Sequence, residues 1–133
     1  MALLPPVGLR NIPRMQVPHL EIFDLQAKLC ATMANPTRLR IIEVLKAGEA
    51  SVGAIAETLG CSVSTASRHL SQMRTNNVLS ARKEGQTVFY QVRQRKIIEC
   101  CQLVRDVLIA DLQEQGQVAR DFAVNGLASW ERS

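Results

Sequence analysis

The feature that most limits what this chain can fold into is a change of apolar period near residue 78. Ahead of it, segments with helical spacing follow one another, each opened by a capping residue. Asn35-Pro36 is a start signal, with Asn as the N-cap and Pro in the first helical position. The helix it opens is expected to bury Leu39, Ile42 and Leu45 and to end at Gly48. Ser51 caps a short helix with Val52, Ile55, Ala56 and Leu59 inward, stopped at Gly60. Ser62 caps the next, whose apolar stripe is Val63, Ala66, Leu70 and Met73 and which closes at Asn76-Asn77. Beyond that point residues 78–83 and 87–92 read as two strands joined by Glu84-Gly85-Gln86, the second rich in strand formers such as Val88, Phe89 and Tyr90.

A helix on each side completes the pattern. Residues 19–33 place Phe23, Ala27, Cys30 and Met33 on one face, flanked by Leu20 and Leu29. Residues 93–115 place Ile97, Cys101, Val104, Leu108 and Leu112 on another. The expected fold class is therefore mainly α with a small β-hairpin, in the order of a winged helix-turn-helix. Aromatic residues make up only 4% of the chain while apolar residues reach 47%, a mix that suits helices packed on helices. Residues 1–18 hold four of the five prolines and read as a flexible arm. Residues 19–115 form the domain, and 116–133, which include Trp130, read as a weakly patterned tail.

Charge is distributed unevenly. Residues 36–96 carry ten Lys or Arg against four Asp or Glu, whereas 97–133 carry three against six. The basic stretch coincides with the helix-turn-helix pattern, which suits a polyanionic partner. With the apolar stripe of the Ser62 helix turned inward, its other face presents Ser64, Thr65, Arg68, Ser71, Gln72 and Thr75. That face holds donors, acceptors and one guanidinium, without an acid or a large apolar group. Such chemistry fits the DNA major groove, where Arg reads guanine and Gln reads adenine. Thr37 and Arg38, and Arg82 and Lys83 at the wing, stand as phosphate contacts around it. A solvated helix face is the bland reading of any one of these residues alone. A winged helix serving protein contacts is the rival for the set, but it would be expected to expose apolar or aromatic anchors there.

Four stretches taken in order resemble the ArsR/SmtB family of bacterial and archaeal repressors. They are Asn35-Pro36-Thr37-Arg38-Leu39-Arg40-Ile41-Ile42, Ser51-Val52-Gly53-Ala54-Ile55-Ala56, Ser62-Val63-Ser64-Thr65-Ala66-Ser67-Arg68-His69-Leu70 and Glu84-Gly85-Gln86-Thr87-Val88-Phe89-Tyr90. The resemblance covers about residues 20–112. It implies a homodimer formed through the first and last long helices, binding as a repressor to a near-palindromic double-stranded operator and released by an effector. It adds Ser62, Ser67, His69 and Gln86 to the candidate DNA contacts Thr37, Arg38, Ser64, Thr65, Arg68, Gln72, Arg82 and Lys83.

Effector chemistry departs from the family's familiar patterns. Metal-sensing relatives often carry Cys-x-Cys at the start of the third helix, yet 49–54 hold no cysteine. Others use Asp and His on the last helix, yet 93–115 hold no histidine. There remain Cys30, Cys100 and Cys101, on helices that pack together in this family, and Cys61 in the turn before the recognition helix. Thiolates suit arsenite or another thiophilic metal ion, and they also answer to oxidants. Unpaired cysteine behaves equally well as a small core hydrophobe. A regulator with a non-thiol effector, or with none, is the alternative. No cofactor is otherwise implied. No glycine-rich phosphate loop, His-centred triad or Cys-x-x-Cys is present, so an enzyme is not expected. No apolar run reaches membrane-spanning length and no secretory signal pattern opens the chain, so a cytoplasmic protein is expected.

Overall fold

The computed structural model describes residues 20–116 and Asp121. The expected arm at 1–18 and most of the expected tail, including Trp130, lie outside the described residues. Five helices and three strands follow in the order α1 (Glu21–Met33), α2 (Pro36–Val44), β1 (Ala50–Ser51), α3 (Val52–Leu59), α4 (Val63–Thr75), β2 (Leu79–Glu84), β3 (Thr87–Val92) and α5 (Arg95–Glu114), with a 3-10 turn at Leu45–Ala47 after α2.

The three expected caps form. The side-chain oxygens of Asn35, Ser51 and Ser62 each accept a backbone N–H three residues on, from Arg38, Ala54 and Thr65, all at 3.1 Å. Each satisfies a donor that the first helical turn would otherwise leave unpaired. Gly60 ends α3 in the left-handed conformation, φ 69°, which a side chain would strain.

The core lies where α2, α3 and α4 meet the sheet: Ile41, Ile42, Leu45, Ile55, Ala56, Ala66, Leu70, Met73, Val78, Leu79 and Tyr90 are buried together, with Met33 from α1 and Ile98 from α5. Two expected core residues lie outside it. Leu39 is 43% exposed, and Ile41 takes the inward position on α2. Val63, the first residue of α4, is 57% exposed. The last helix turns Ile98 inward and leaves Ile97 partly buried, one residue from the phase expected.

The sheet is antiparallel with strand order β1-β3-β2. Leu79 faces Val92 and Glu84 faces Thr87, so the hairpin is in register along its whole length. Its connection at Glu84-Gly85-Gln86 places Gly85 at φ 62°, the left-handed region that tight hairpin turns require. The two-residue β1, absent from the sequence expectation, pairs Ala50 with Tyr90 and Ser51 with Phe89.

The outer helices bury little. Leu20, Ile22, Phe23 and Leu25 at α1, and Leu103, Val104, Val107 and Leu108 on α5, are all more than half exposed. Two unpartnered apolar faces therefore flank a well-packed centre.

Candidate nucleic-acid interface

The centre of the site is α4. Ala66, Leu70 and Met73 are fully buried and fix the rotation of the helix, so the residues between them must face outward. Ser64, Arg68, Ser71, Gln72 and Thr75 are exposed, and Thr65 and Ser67 half-buried. No carboxylate lies on this helix. At its start the hydroxyls are ordered by one another. Ser62 Oγ donates to Thr65 Oγ1 at 2.8 Å and lies 3.2 Å from Ser64 Oγ. The N-terminal turn thus carries a fixed set of hydroxyls beside free backbone N–H groups, a setting that favours a phosphate or a base edge.

Two candidate phosphate contacts are engaged within the fold. Arg38 is half-buried. Its Nε donates to His69 Nδ1 at 3.3 Å, one Nη donates to the Thr32 carbonyl at 3.0 Å and the other to Gln72 Oε1. His69 is therefore an acceptor at Nδ1. Burial lowers its pKa from the ordinary histidine value, and the Arg38 and Arg68 guanidiniums push the same way. Thr37, also half-buried, lies beside Arg38 in the first turn of α2.

Arg82 on β2 is similarly held. Its Nε donates to both carboxylate oxygens of Glu49 at 2.9 and 3.1 Å, an Nη donates to Glu84 at 2.8 Å, and the guanidinium stacks 4.5 Å above the Phe89 ring. Those bonds raise the Arg82 pKa above its ordinary value and lower that of Glu49. Two acids thus offset its charge. Lys83 and Gln86 are exposed at the wing tip, and Lys83 pairs with no carboxylate among the described residues. Sequence reasoning did not single out Glu49, whose partner is 33 residues away; its only local signal was an acid two residues before a helix cap. Arg93 was also missed. It donates to Asn77 Oδ1 at 2.9 Å and ties the end of the hairpin to the turn that closes α4.

Three of the four cysteines lie on the outer helices α1 and α5. Cys30 and Cys100 are exposed and Cys101 is half-buried, its Sγ 3.9 Å from Met33 Sδ. Burial raises the Cys101 thiol pKa, with smaller contributions from Cys100 and Cys30. Among the described residues of one chain, no three of His, Cys, Asp and Glu come together as a metal site. Cys61 is half-buried in the turn before α4 and packs against the core.

Comparison with known proteins agrees with this geometry. Residues 33–79 match the model of a helix-turn-helix domain family. Over 84 residues the chain is 34% identical to the nodulation protein NolR of Rhizobium meliloti, covering 63% of this chain and 69% of that protein. Over 109 residues it is 30% identical to an HTH-type transcriptional regulator of Mycobacterium tuberculosis, covering 81% of this chain and 96% of the relative. The solution structure of a homodimeric winged helix-turn-helix DNA-binding domain from Mycobacterium bovis, described as a possible ArsR-family transcriptional regulator, superposes with a TM-score of 0.67. Identity there is 27%, over 77% of this chain and 95% of that one. With α2 to α4 packed as a helix-turn-helix, a hairpin wing beside them and these relatives along most of its length, the chain belongs to the ArsR family of winged helix-turn-helix, DNA-binding transcriptional regulators.

Proposed function

We propose that the protein is a homodimeric repressor that binds a near-palindromic operator through α4 and the wing, with residues 19–115 as the working unit in the cytoplasm. The observation that carries this reading is the outward face of α4, where Ser64, Arg68, Ser71, Gln72 and Thr75 are exposed on a helix without carboxylates. Thr65, Ser67 and the cap Ser62 complete the groove-facing set, with Thr37, Lys83 and Gln86 on the flanks. The exposed apolar faces of α1 and α5 support a dimer: each is a helix face that water would otherwise cover, and the Mycobacterium bovis neighbour is homodimeric. Two copies related by a two-fold axis would present two α4 helices to successive major grooves.

Release by a thiophilic metalloid or an oxidant acting on Cys30, Cys100 and Cys101 is the regulatory part of the proposal. Its support is that the three thiols sit on α1 and α5, the helices assigned to the dimer, with two of them exposed. A three-thiolate metal site would draw on a second copy of the chain, since one copy does not assemble it among the described residues. Fluorescence anisotropy of reduced protein on duplex DNA from its own upstream region, titrated with arsenite and separately with peroxide, tests both parts. Salt-sensitive binding above a random duplex supports the repressor, and its absence refutes it. Loss of binding with either reagent in wild type but not in the triple Cys→Ser variant supports the thiol sensor. An unchanged response in that variant removes it and leaves a regulator with another effector or none.

A further inference from the structure

Where α5 passes the end of α1, two sulfur atoms meet. Cys101 Sγ donates to Met33 Sδ across 3.9 Å, between residues 68 apart in sequence. Met33 is 8% exposed, so the core holds its thioether in place, while Cys101 is half-buried. Cys30 stands three residues before Met33 on α1, and residues so spaced are neighbours on one helix face. Its thiol is free and exposed. Two sulfurs 3.9 Å apart, each about 2.3 Å from one ion as in a metal–thiolate bond, subtend roughly 116° at it, close to the angle of a planar three-ligand site. A thioether beside thiolates is a soft donor set of the kind that selects Cu(I). Zinc closes at four ligands, and arsenite takes three thiolates. Among the described residues no three of His, Cys, Asp and Glu come together to supply either.

Resting on the thiol-effector reading above, we propose that Cys30, Met33 and Cys101 form a three-sulfur Cu(I) site within one chain, with Met33 the ligand that sets its preference for Cu(I) over arsenite. The ion enters without a change of oxidation state. Two S–H bonds give way to two Cu–S bonds, their protons leave to water, and the thioether adds the third bond from a sulfur lone pair. The exposed Cys30 thiol is the point of entry, and buried Met33 is the fixed ligand. The bound ion bridges α1 to α5, the two helices assigned to the dimer, and so acts where the spacing of the two α4 helices is set. Plain packing of two soft side chains is the competing account of the Met33–Cys101 contact, and it assigns no ligand role to the thioether.

The test is anaerobic titration of the reduced full chain with Cu(I) delivered from its bicinchoninate complex, comparing wild type with Met33→Leu, Cys30→Ser, Cys101→Ser and Cys100→Ser. Wild type should take up one Cu(I) per chain. Met33→Leu conserves side-chain volume, so it should fold, lose about tenfold or more in Cu(I) affinity and keep its arsenite affinity. Cys30→Ser and Cys101→Ser should lose more, and Cys100→Ser should bind as wild type does. A second readout needs no variant: in selenomethionine protein loaded with Cu(I), selenium X-ray absorption should show a copper neighbour at bonding distance. Wild type that leaves Cu(I) on the chelator overturns the inference, as does a selenium spectrum without copper. So does Met33→Leu that binds Cu(I) as tightly as wild type, the result for thiolates alone. A Met33→Leu chain that loses Cu(I) and arsenite in proportion, as a purely structural role would give, overturns it too, and so does dependence on Cys100 in place of Cys30. Arsenite release of DNA that survives any of these failures leaves the thiol-effector reading intact. An operator complex indifferent to every thiol reagent refutes that reading and leaves the Cu(I) site standing.

Discussion

Glu43 on α2 accepts a hydrogen bond at 2.9 Å from Arg105 on α5, and this pair ties the last long helix to the helix-turn-helix core. The two side chains are 12% and 29% exposed, so the pair is more shielded than ordinary surface ion pairs, and Lys46 lies 3.8 Å from the other oxygen of Glu43. Removing one partner leaves the other charge partly desolvated and unpaired. Glu43→Ala should therefore lower unfolding stability by about 1–2 kcal/mol. A double-mutant cycle with Arg105→Ala, followed by urea denaturation, should give a favourable coupling. Additive losses would show that the contact contributes nothing beyond its parts.

Leu70 on α4 is fully buried in the shared core and sets the rotation of the recognition helix. Leu70→Ala should cost about 3 kcal/mol, from lost transfer energy and the cavity left behind. Chemical denaturation reads the stability. Because the same side chain aims α4, DNA affinity measured well below the new melting temperature should fall as well.

The apolar face of α5 should behave as an interface rather than as ordinary surface. Val104 is 66% exposed, so Val104→Glu, alone or with Leu108→Glu, has no core packing to disrupt within one chain. The expected variant is folded by circular dichroism, monomeric by sedimentation velocity, and weaker on a two-half-site duplex by about tenfold or more. A variant that stays dimeric would place the interface elsewhere.

The imidazole of His69 gives the protein a specific acid sensitivity. Burial, aided by the Arg38 and Arg68 charges, lowers its pKa in the fold. The unfolded chain then takes up the proton first, near pH 6.5, and the folded chain only at lower pH. The stabilisation from a neutral His69 is complete above about pH 6.5 and is lost progressively as pH falls below it, levelling off beneath the folded value. Melting temperatures at about pH 7.5 and pH 5.5 should differ more for wild type than for His69→Asn, which keeps an acceptor and does not titrate. An equal difference for the two proteins would assign the acid sensitivity to other groups.

Local chemistry made much of this fold legible. Asn35, Ser51 and Ser62 announced three helices because a cap acts within three residues, a range the sequence displays directly. The hairpin showed itself through the period change and the glycine between its strands. The phase of α2 was harder to read, since Leu39, Ile41 and Ile42 are all apolar and only the packing of α3 and α4 selects Ile41 over Leu39. The two-residue β1 has no period at all, and its partner Tyr90 lies 40 residues further on. At the site, the outward residues of α4 followed from its buried stripe. The commitments of Arg38 and Arg82 did not, because His69, Gln72 and Glu49 are brought to them only by tertiary structure, across 31 to 34 residues.

Ser51 carries two duties at once: it pairs with Phe89 in the sheet, and its hydroxyl accepts the Ala54 N–H that begins α3. Together with the Arg93–Asn77 and Arg82–Glu49 bonds, this residue rivets the wing to the helix-turn-helix instead of leaving them joined by a hinge. Such a molecule works as a caliper of set width. The span from the α4 hydroxyls to the hairpin tip is fixed before any duplex arrives, so whatever bending or groove narrowing is needed to satisfy both contacts falls on the DNA.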